Sequence, residues 1–159
     1  MKRKGDIDQI DSKIICVLQK DGRMPNTEIA KKLNIAESTV RNRLKRLLNE
    51  KIIQVVAVGD PHKLGFGIAG TMKIAIDMKK SAETISQLKK IDQIWYIALA
   101  TGGTDLDIEF NVNSLEEFKN LVILQVNQID GVIKTESSVI VEYIKRRYDW
   151  GTGQNHPNP

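Results

Sequence analysis

The sequence predicts an α+β protein in which three short helices precede a βαββαβ segment. Two observations support this prediction. Apolar residues recur at helical spacing up to about residue 50, and from residue 67 onward helical stretches alternate with β-branched or strictly alternating stretches. The first part has the spacing of a winged helix-turn-helix domain, and the second has the element order of a ferredoxin-like sandwich.

The N-terminal part is predicted to contain three helices and one strand. The helices run from Asp8 or Asp11 to Gly22, over 27–33 after an N-cap at Asn26, and over about 37–50. Between the last two helices stands Asn34, a residue type that tolerates a left-handed turn. The β-branched run 52–58 predicts the strand, and the turn residues at 59–65 predict a linker.

The C-terminal part is predicted to form a four-stranded sheet with two helices on one face. Residues 105–112 alternate most clearly, because Leu106, Ile108 and Phe110 fall on one face of that strand. The other face of the sheet would stay bare in a single chain, so we expect at least a dimer. The predicted strands are 67–78, 95–100, 105–112 and 132–144, and the predicted helices are 81–91 and 114–129.

These elements divide the chain into four parts. The predicted parts are a helix-turn-helix domain (1–52), a strand and linker (53–65), a ferredoxin-like domain (66–147) and a tail (148–159). The tail consists largely of Gly, Asn and Pro with little to bury, so we expect it to be disordered.

Charge is distributed unevenly along the chain. Residues 1–65 carry 14 Lys and Arg against 8 Asp and Glu, whereas residues 66–159 carry 10 against 12. The basic first part indicates that this end meets a polyanion. No apolar run approaches the ~20 residues of a membrane span, no signal peptide is evident, and Cys16 is the single cysteine. We therefore expect a cytoplasmic protein.

The third predicted helix carries polar and basic side chains on the face away from Val40, Leu44 and Leu47. In a helix-turn-helix this helix enters the major groove of double-stranded DNA, where Arg pairs with guanine and Asn with adenine. A basic helix face is more often only solvated surface, but the helix-turn-helix frame favours DNA binding. The predicted base contacts are Ser38, Thr39, Arg41 and Asn42, and the predicted phosphate contacts are Arg43, Lys45, Arg46 and Lys51.

Three stretches of the chain form a set of motifs with a characteristic order and spacing. The first is Ile10-Asp11-x-x-Ile14-Ile15-x-x-Leu18-x-x-Asp21-Gly22-Arg23. The second is the helix-turn-helix ending in Arg43-Leu44-x-x-Leu47-x-x-x-x-Ile52-Ile53, with Asp60 to Gly65 closing the domain. The third is Thr101-Gly102-Gly103-Thr104-Asp105, followed by Asp130-Gly131-Val132 and Thr135-Glu136-Ser137. In order and spacing they resemble the Lrp/AsnC family of prokaryotic regulators, also called feast/famine regulatory proteins. The chain departs from that family at Ala36, where Ser is usual, and at Asn34 and Lys51, where Gly is usual.

The resemblance implies an assembly and an effector. Lrp/AsnC regulators are homodimers built through their C-terminal sandwiches, and the dimers often assemble into tetramers, octamers or larger discs. Their effectors are commonly amino acids, which bind between dimers near a Gly-x-x-Asp turn. Carried over by position, the candidate effector residues are Thr101, Gly102, Gly103, Thr104, Asp105, Thr135 and Ser137.

The chemistry of the 101–105 turn suits an amino acid. Gly102 and Gly103 let backbone N–H groups approach an α-carboxylate, and Asp105 is a partner for an α-ammonium. A plain hairpin turn would select the same residues, so this alternative stays open. Because Asp105 shares a strand face with Asp107 and Glu109, a basic amino acid is a hypothesis for the effector.

Two other functional classes compete with a regulator. An enzyme or a stand-alone amino-acid-binding domain could share the sandwich fold. His62 and His156 stand alone, however, and no Cys/His cluster, nucleophile elbow or dinucleotide fingerprint occurs, so we expect no enzymatic activity, no metal and no cofactor. A nucleoid-like architectural protein would wrap DNA with weak sequence preference, and only its specificity ratio would distinguish it from a regulator.

Overall fold

The structure is a computed structural model that describes residues 7–153, and the chain divides into two compact units. Of the described residues, 7–57 and 144–153 belong to one unit, and Val58–Tyr143 form the other. The N-terminal unit therefore includes the C-terminal segment of the chain. Within residues 7–153, no helix is long and apolar enough to cross a bilayer.

In its described residues, the N-terminal unit contains three helices: α1 (Gln9–Lys20), α2 (Asn26–Leu33) and α3 (Glu37–Asn49). Their apolar faces meet in a small core in which Ile14, Ile29 and Val40 are fully buried. The two aspartates predicted as alternative starts of α1 act together. The Asp8 carboxylate accepts from the Asp11 N–H, and the Asp11 carboxylate accepts from the Asp8 N–H, which forms a reciprocal cap.

The turn between α2 and α3 has the left-handed residue that the sequence predicts. Asn34 has φ 53°, and its N–H donates to the carbonyls of Ala30 and Lys31. Helix α3 begins after Ala36, which gives it no side-chain cap. Helix α2 begins at Asn26 with Pro25 as its N-cap, so the predicted cap at Asn26 is wrong by one residue. Lys51, after α3, is also left-handed, with φ 55°.

The strand predicted over 52–58 is wrong. Residues 50–67 form no strand, and Val55, Val56 and Val58 are each more than half exposed. A strand needs a neighbour for its backbone N–H and C=O groups, and β-branched composition cannot supply one. The wing strand expected after the helix-turn-helix is therefore absent from this segment.

The expectation of a disordered tail is also wrong for residues 148–153. Gly151 and Thr152 are buried, and the Gln19 side chain donates to the Gly151 carbonyl and accepts from the Gly151 N–H. The Thr152 hydroxyl shares a hydrogen bond with the hydroxyl of Ser12. Backbone and hydroxyl groups hold this segment on α1, so its low apolar content was a poor guide. Residues 1–6 and 154–159, including His156, lie outside the described residues.

The second unit is a four-stranded antiparallel sheet with helices on one face. Its elements are β1 (Ile68–Ile76), α4 (Ser81–Leu88), β2 (Ile94–Leu99), β3 (Leu106–Val112), α5 (Leu115–Lys119) and β4 (Val132–Val139). The strand order is β2-β3-β1-β4. The helix predicted over 114–129 is broken up, because a π-helical turn and a short 3₁₀ turn follow α5. The predicted α+β fold class is confirmed.

The two faces of this sheet differ in chemistry. Met72, Ile74 and Phe110 are fully buried beneath the helices. The opposite face, called here the open face, is formed by the alternate residues of the strands. Its central members are Thr71, Lys73, Tyr96, Ala98, Asp107, Glu109 and Asn111.

Candidate DNA interface and effector site

Helix α3 presents the side chains predicted to read DNA on its exposed face. Val40 and Leu47 are fully buried in the unit and fix the rotation of the helix. With these residues inside, the outer face carries hydroxyl, amide and cationic groups. Ser38, Arg41, Asn42 and Lys45 are exposed, and Thr39 is half-buried.

Arg41 has an ion-pair partner on its own helix. Its guanidinium lies 2.5 Å from the Glu37 carboxylate one turn earlier, and both side chains are exposed. A hydrogen bond and the negative charge of Glu37 raise the pKa of Arg41. Exposed pairs of this kind contribute little in water, so Arg41 can exchange Glu37 for another hydrogen-bond acceptor.

Arg43 and Arg46 point to α1 instead of the outer face of α3. Arg43 Nη1 lies 2.6 and 2.7 Å from the two Asp8 oxygens and 3.1 Å from Asp11, and Arg46 Nη2 lies 2.5 Å from Asp11. The Asp11 side chain is fully buried. Sequence reasoning assigned both arginines to phosphates, and it missed Asp8 and Asp11 as their partners.

The turn predicted to hold an effector joins β2 to β3. Thr101, Gly102 and Gly103 are exposed, and Gly102 has φ 137°. A side chain built at either glycine would meet no atom within 4 Å, so a ligand can reach the backbone there. The turn is closed by the Ala100 N–H, which donates to the Asp105 carbonyl at 2.8 Å.

Asp105 has a structural bond that the sequence did not reveal. Its Oδ2 accepts the Ile76 N–H at 2.8 Å, at the point where the pairing of β1 with β4 shifts. The carboxylate therefore satisfies a backbone donor that the irregular pairing leaves free. Its charge remains available to a cationic group.

Thr135 and Ser137 are not brought to the 101–105 turn within one chain. They lie on β4 opposite Ile74 and Met72, whereas Asp105 precedes β3, on the other side of β1. Two strand spacings separate β3 from β4, about 10 Å. The Thr135 hydroxyl donates to Asn127 Oδ1 at 3.0 Å. A site using both sets of residues would therefore need a second chain.

The acidic side chains next to Asp105 lie on the open face. Asp107 is directly opposite Lys73 in the register of β3 and β1, and Lys73 is opposite Glu136 on β4. Glu109 is opposite Thr71 and Tyr96. The face that Asp105, Asp107 and Glu109 were predicted to share therefore also carries a lysine, which lies on the neighbouring strand.

Comparison with known proteins places both units in one family. Residues 7–48 match the AsnC-type helix-turn-helix domain, and residues 72–150 match the Lrp/AsnC ligand binding domain. The HTH-type transcriptional regulator FL11 of Pyrococcus furiosus is 35% identical over 143 residues, which are 89% of this chain and 94% of that protein. The chain belongs to the Lrp/AsnC family. A second HTH-type regulator, from Pyrococcus abyssi, is 33% identical over 150 residues, 94% of this chain and 92% of its own.

Solved Lrp/AsnC structures have the same fold. Escherichia coli AsnC superposes with a TM-score of 0.77 at 21% identity and covers 89% of this chain and 97% of its own. A transcriptional regulator of Neisseria meningitidis, solved as a complex with L-Met, gives a TM-score of 0.80 at 24% identity, covering 91% and 96%. Like its relatives, the protein is therefore a helix-turn-helix transcription regulator with a ligand-binding domain.

Proposed function

We propose that the protein is a sequence-specific DNA-binding regulator whose operator binding and assembly respond to an amino acid. The DNA-binding part of this proposal rests on the outer face of α3. It combines exposed Arg41, Asn42 and Lys45 with a buried face that fixes the helix in a helix-turn-helix. These groups have the chemistry that base edges and phosphates require.

The side chains of α3 divide into three roles. Ser38, Thr39, Arg41 and Asn42 lie in the N-terminal half of the helix, which usually meets the bases. Lys45 and Lys51 contact phosphates, which fix register without reading sequence. Arg43 and Arg46 orient α3 through their bonds to Asp8 and Asp11, and any phosphate contact they make is secondary to that.

The effector binds at the 101–105 turn. The backbone N–H groups of Gly102 and Gly103 receive the α-carboxylate, and the Asp105 charge receives the α-ammonium. Thr104 lines the turn, and Thr135 and Ser137 join the site from a neighbouring chain. A regulator of the same fold was solved with L-Met, which supports an amino acid as the class of ligand.

The side chain of the effector is basic. Asp107 and Glu109 lie beside Asp105 on one face of β3 and favour a cationic ligand over an acidic one. Isothermal titration calorimetry against lysine, arginine, methionine, leucine and glutamate tests this. Tighter binding of an apolar or acidic amino acid would contradict a basic side chain while leaving the location of the site intact.

The open face of the sheet is the dimer interface. Tyr96 and Ala98 offer apolar area there. A sheet face that no helix of its own chain covers is buried by another chain in a stable assembly. Dimers assemble further, to tetramers or octamers, around the effector turns.

The effector acts by linkage. An amino acid held between chains favours one arrangement of the DNA-binding units, and operator affinity changes only by the preference of the ligand for that arrangement, about 1–3 kcal/mol. Because a dimer presents two recognition helices, the operator is an approximate palindrome with half-sites a helical turn apart.

Footprinting on the DNA upstream of the protein's own gene, with and without a mixture of amino acids, tests the proposal. We expect a few spaced protected sites that change with the mixture. Uniform protection that ignores sequence and mixture would favour the architectural alternative. No protection at low salt would overturn DNA binding itself.

A further inference from the structure

The segment of the chain after the sandwich is docked on α1 by specific polar contacts. The Gln19 side chain pairs with both backbone groups of Gly151, at 2.8 and 3.0 Å. Gly151 has φ 79°, a conformation that favours glycine. Ser12 is fully buried and shares a hydrogen bond with Thr152. Buried groups that satisfy one another in this way specify one position of the segment.

The residues just before this docking site are basic. Lys145, Arg146 and Arg147 are all exposed and belong to the same compact unit as α3. The Arg147 guanidinium lies 2.7 Å from Asp149, and the Arg146 guanidinium lies over the Tyr148 ring. Within residues 145–149, three cations thus stand beside one carboxylate, and two of the cations contact neighbouring side chains.

The Gly151 contact lies at the C-terminal end of α1, and the Thr152 contact lies at Ser12, in the first turn of that helix. Gln19 and Lys20 are the last two residues of that helix, and Lys20 contributes to lowering the pKa of Asp149, an effect caused mainly by Arg147. The turn that follows Lys20 leads directly into α2. In a helix-turn-helix this helix crosses the sugar–phosphate backbone. Asp149, which pairs with Arg147, therefore lies close to the end of α1 that leads into this helix.

We propose that Lys145, Arg146 and Arg147 form a second phosphate-binding site of the DNA-binding unit, positioned by the docking of Gly151 and Thr152 on α1. The site takes duplex DNA through its phosphates and reads no bases. It supplies a phosphate contact in addition to those of the recognition helix, on a chain whose 50–67 segment forms no wing strand. This proposal rests on the proposed DNA-binding function.

The salt dependence of DNA affinity measures the number of phosphates that a protein neutralises. We would titrate the full chain against a random duplex of about 30 base pairs, by fluorescence anisotropy, between roughly 50 and 200 mM salt. The double variant Lys145→Gln/Arg147→Gln should lower the slope of log K against log salt by about 1 to 2, since each phosphate contributes roughly 0.9. The matched control is Lys89→Gln/Lys90→Gln, which removes the same charge from exposed positions of the other unit.

A third variant tests the docking separately from the charge. Gln19→Leu keeps every cation but removes both hydrogen bonds to Gly151, so it should lower the slope nearly as much as the double variant. An unchanged slope in Gln19→Leu would overturn the positioning by α1. Circular dichroism checks that each variant is folded.

Two further outcomes separate this proposal from the proposed function. A slope unchanged in Lys145→Gln/Arg147→Gln, but lowered in Lys45→Gln on α3, would overturn the second site and leave DNA binding by the recognition helix intact. An equal fall in the Lys89→Gln/Lys90→Gln control would overturn it as well, because net charge alone would then explain the effect. A wild-type chain that binds no duplex would overturn the proposed function itself.

Discussion

The guanidinium of Arg46 in α3 lies 2.5 Å from the carboxylate of Asp11 in α1, a side chain with no exposed surface. The same carboxylate accepts the Asp8 N–H at the start of α1 and a bond from Arg43. One buried aspartate therefore caps the first helix and holds the recognition helix against it. Any substitution of Asp11 therefore affects both the cap of α1 and the packing of α3 against it.

Replacement of this aspartate tests its structural role. Asp11→Asn should lower the free energy of unfolding of the N-terminal unit by about 2–3 kcal/mol, because two guanidinium groups lose a buried counter-charge. Urea unfolding of the full chain, followed by circular dichroism, measures this. The control is Glu28→Gln, which breaks an exposed pair with Lys31 and should cost less than about 0.5 kcal/mol. Equal effects in the two variants would contradict the role assigned to Asp11.

This cluster also shows what the sequence could and could not predict. The residue types of Asp8 and Asp11 were enough to place the start of α1 at one of the two, because capping is local, and the structure shows that Asp8 is the cap. The partners of Arg43 and Arg46 are 32 to 35 residues away, and nothing in a basic helix face distinguishes an arginine that turns inward from one that faces DNA. The sequence therefore predicted the surface of α3 but not its internal bonds.

In the sandwich, too, local patterns were predictable from the sequence and partners that are distant in sequence were not. The alternation of Leu106, Ile108 and Phe110 predicted β3 because a half-buried strand repeats every two residues. The run 52–58 has strand composition but no neighbour to pair with. The bond from Ile76 to Asp105 depends on a shift in strand pairing, which composition does not encode.

Lys51 offers a test of backbone strain. Its φ of 55° is unfavourable for a residue with a Cβ, so Lys51→Gly should stabilise the N-terminal unit by about 0.5–1 kcal/mol after the entropy of glycine is counted. Asn34→Gly, at φ 53°, should gain less because asparagine tolerates this region. Thermal unfolding compares the two. Because Lys51 is also proposed to contact a phosphate, Lys51→Gly should weaken DNA binding while it stabilises the fold.

Base-reading and phosphate-binding side chains should respond differently to substitution. Arg41→Ala should relax operator specificity by about 1–3 kcal/mol, because a base contact is lost. Lys45→Gln should weaken operator and random DNA alike and lower the salt slope by about 0.9. Competition titrations with operator and random duplexes at several salt concentrations measure both effects. Identical behaviour of the two variants would contradict this division of roles.

A substitution on the open face tests the proposed dimer interface. Ala98→Arg places a bulky side chain where a second sheet would pack, and Asp107 on the neighbouring strand gives it an ion-pair partner within its own chain. The chain should therefore stay folded while light scattering reports a smaller assembly. Ser86→Arg, at an exposed position of α4, is the control and should keep the wild-type mass. An unchanged mass in Ala98→Arg would place the interface elsewhere.

Substitution of Asp105 distinguishes an effector site at the 101–105 turn from a simple hairpin turn. Asp105→Asn keeps an oxygen that can accept the Ile76 N–H, but it removes the charge proposed to pair with the α-ammonium of the ligand. The melting temperature should change little, and amino-acid affinity measured by calorimetry should fall at least about tenfold, or 1.4 kcal/mol. Asp105→Ala should in addition destabilise the sandwich by about 1–3 kcal/mol, because the Ile76 N–H loses its acceptor. Full affinity in Asp105→Asn would mean that the carboxylate serves the fold alone, and that the ammonium partner lies on another side chain of the assembled site.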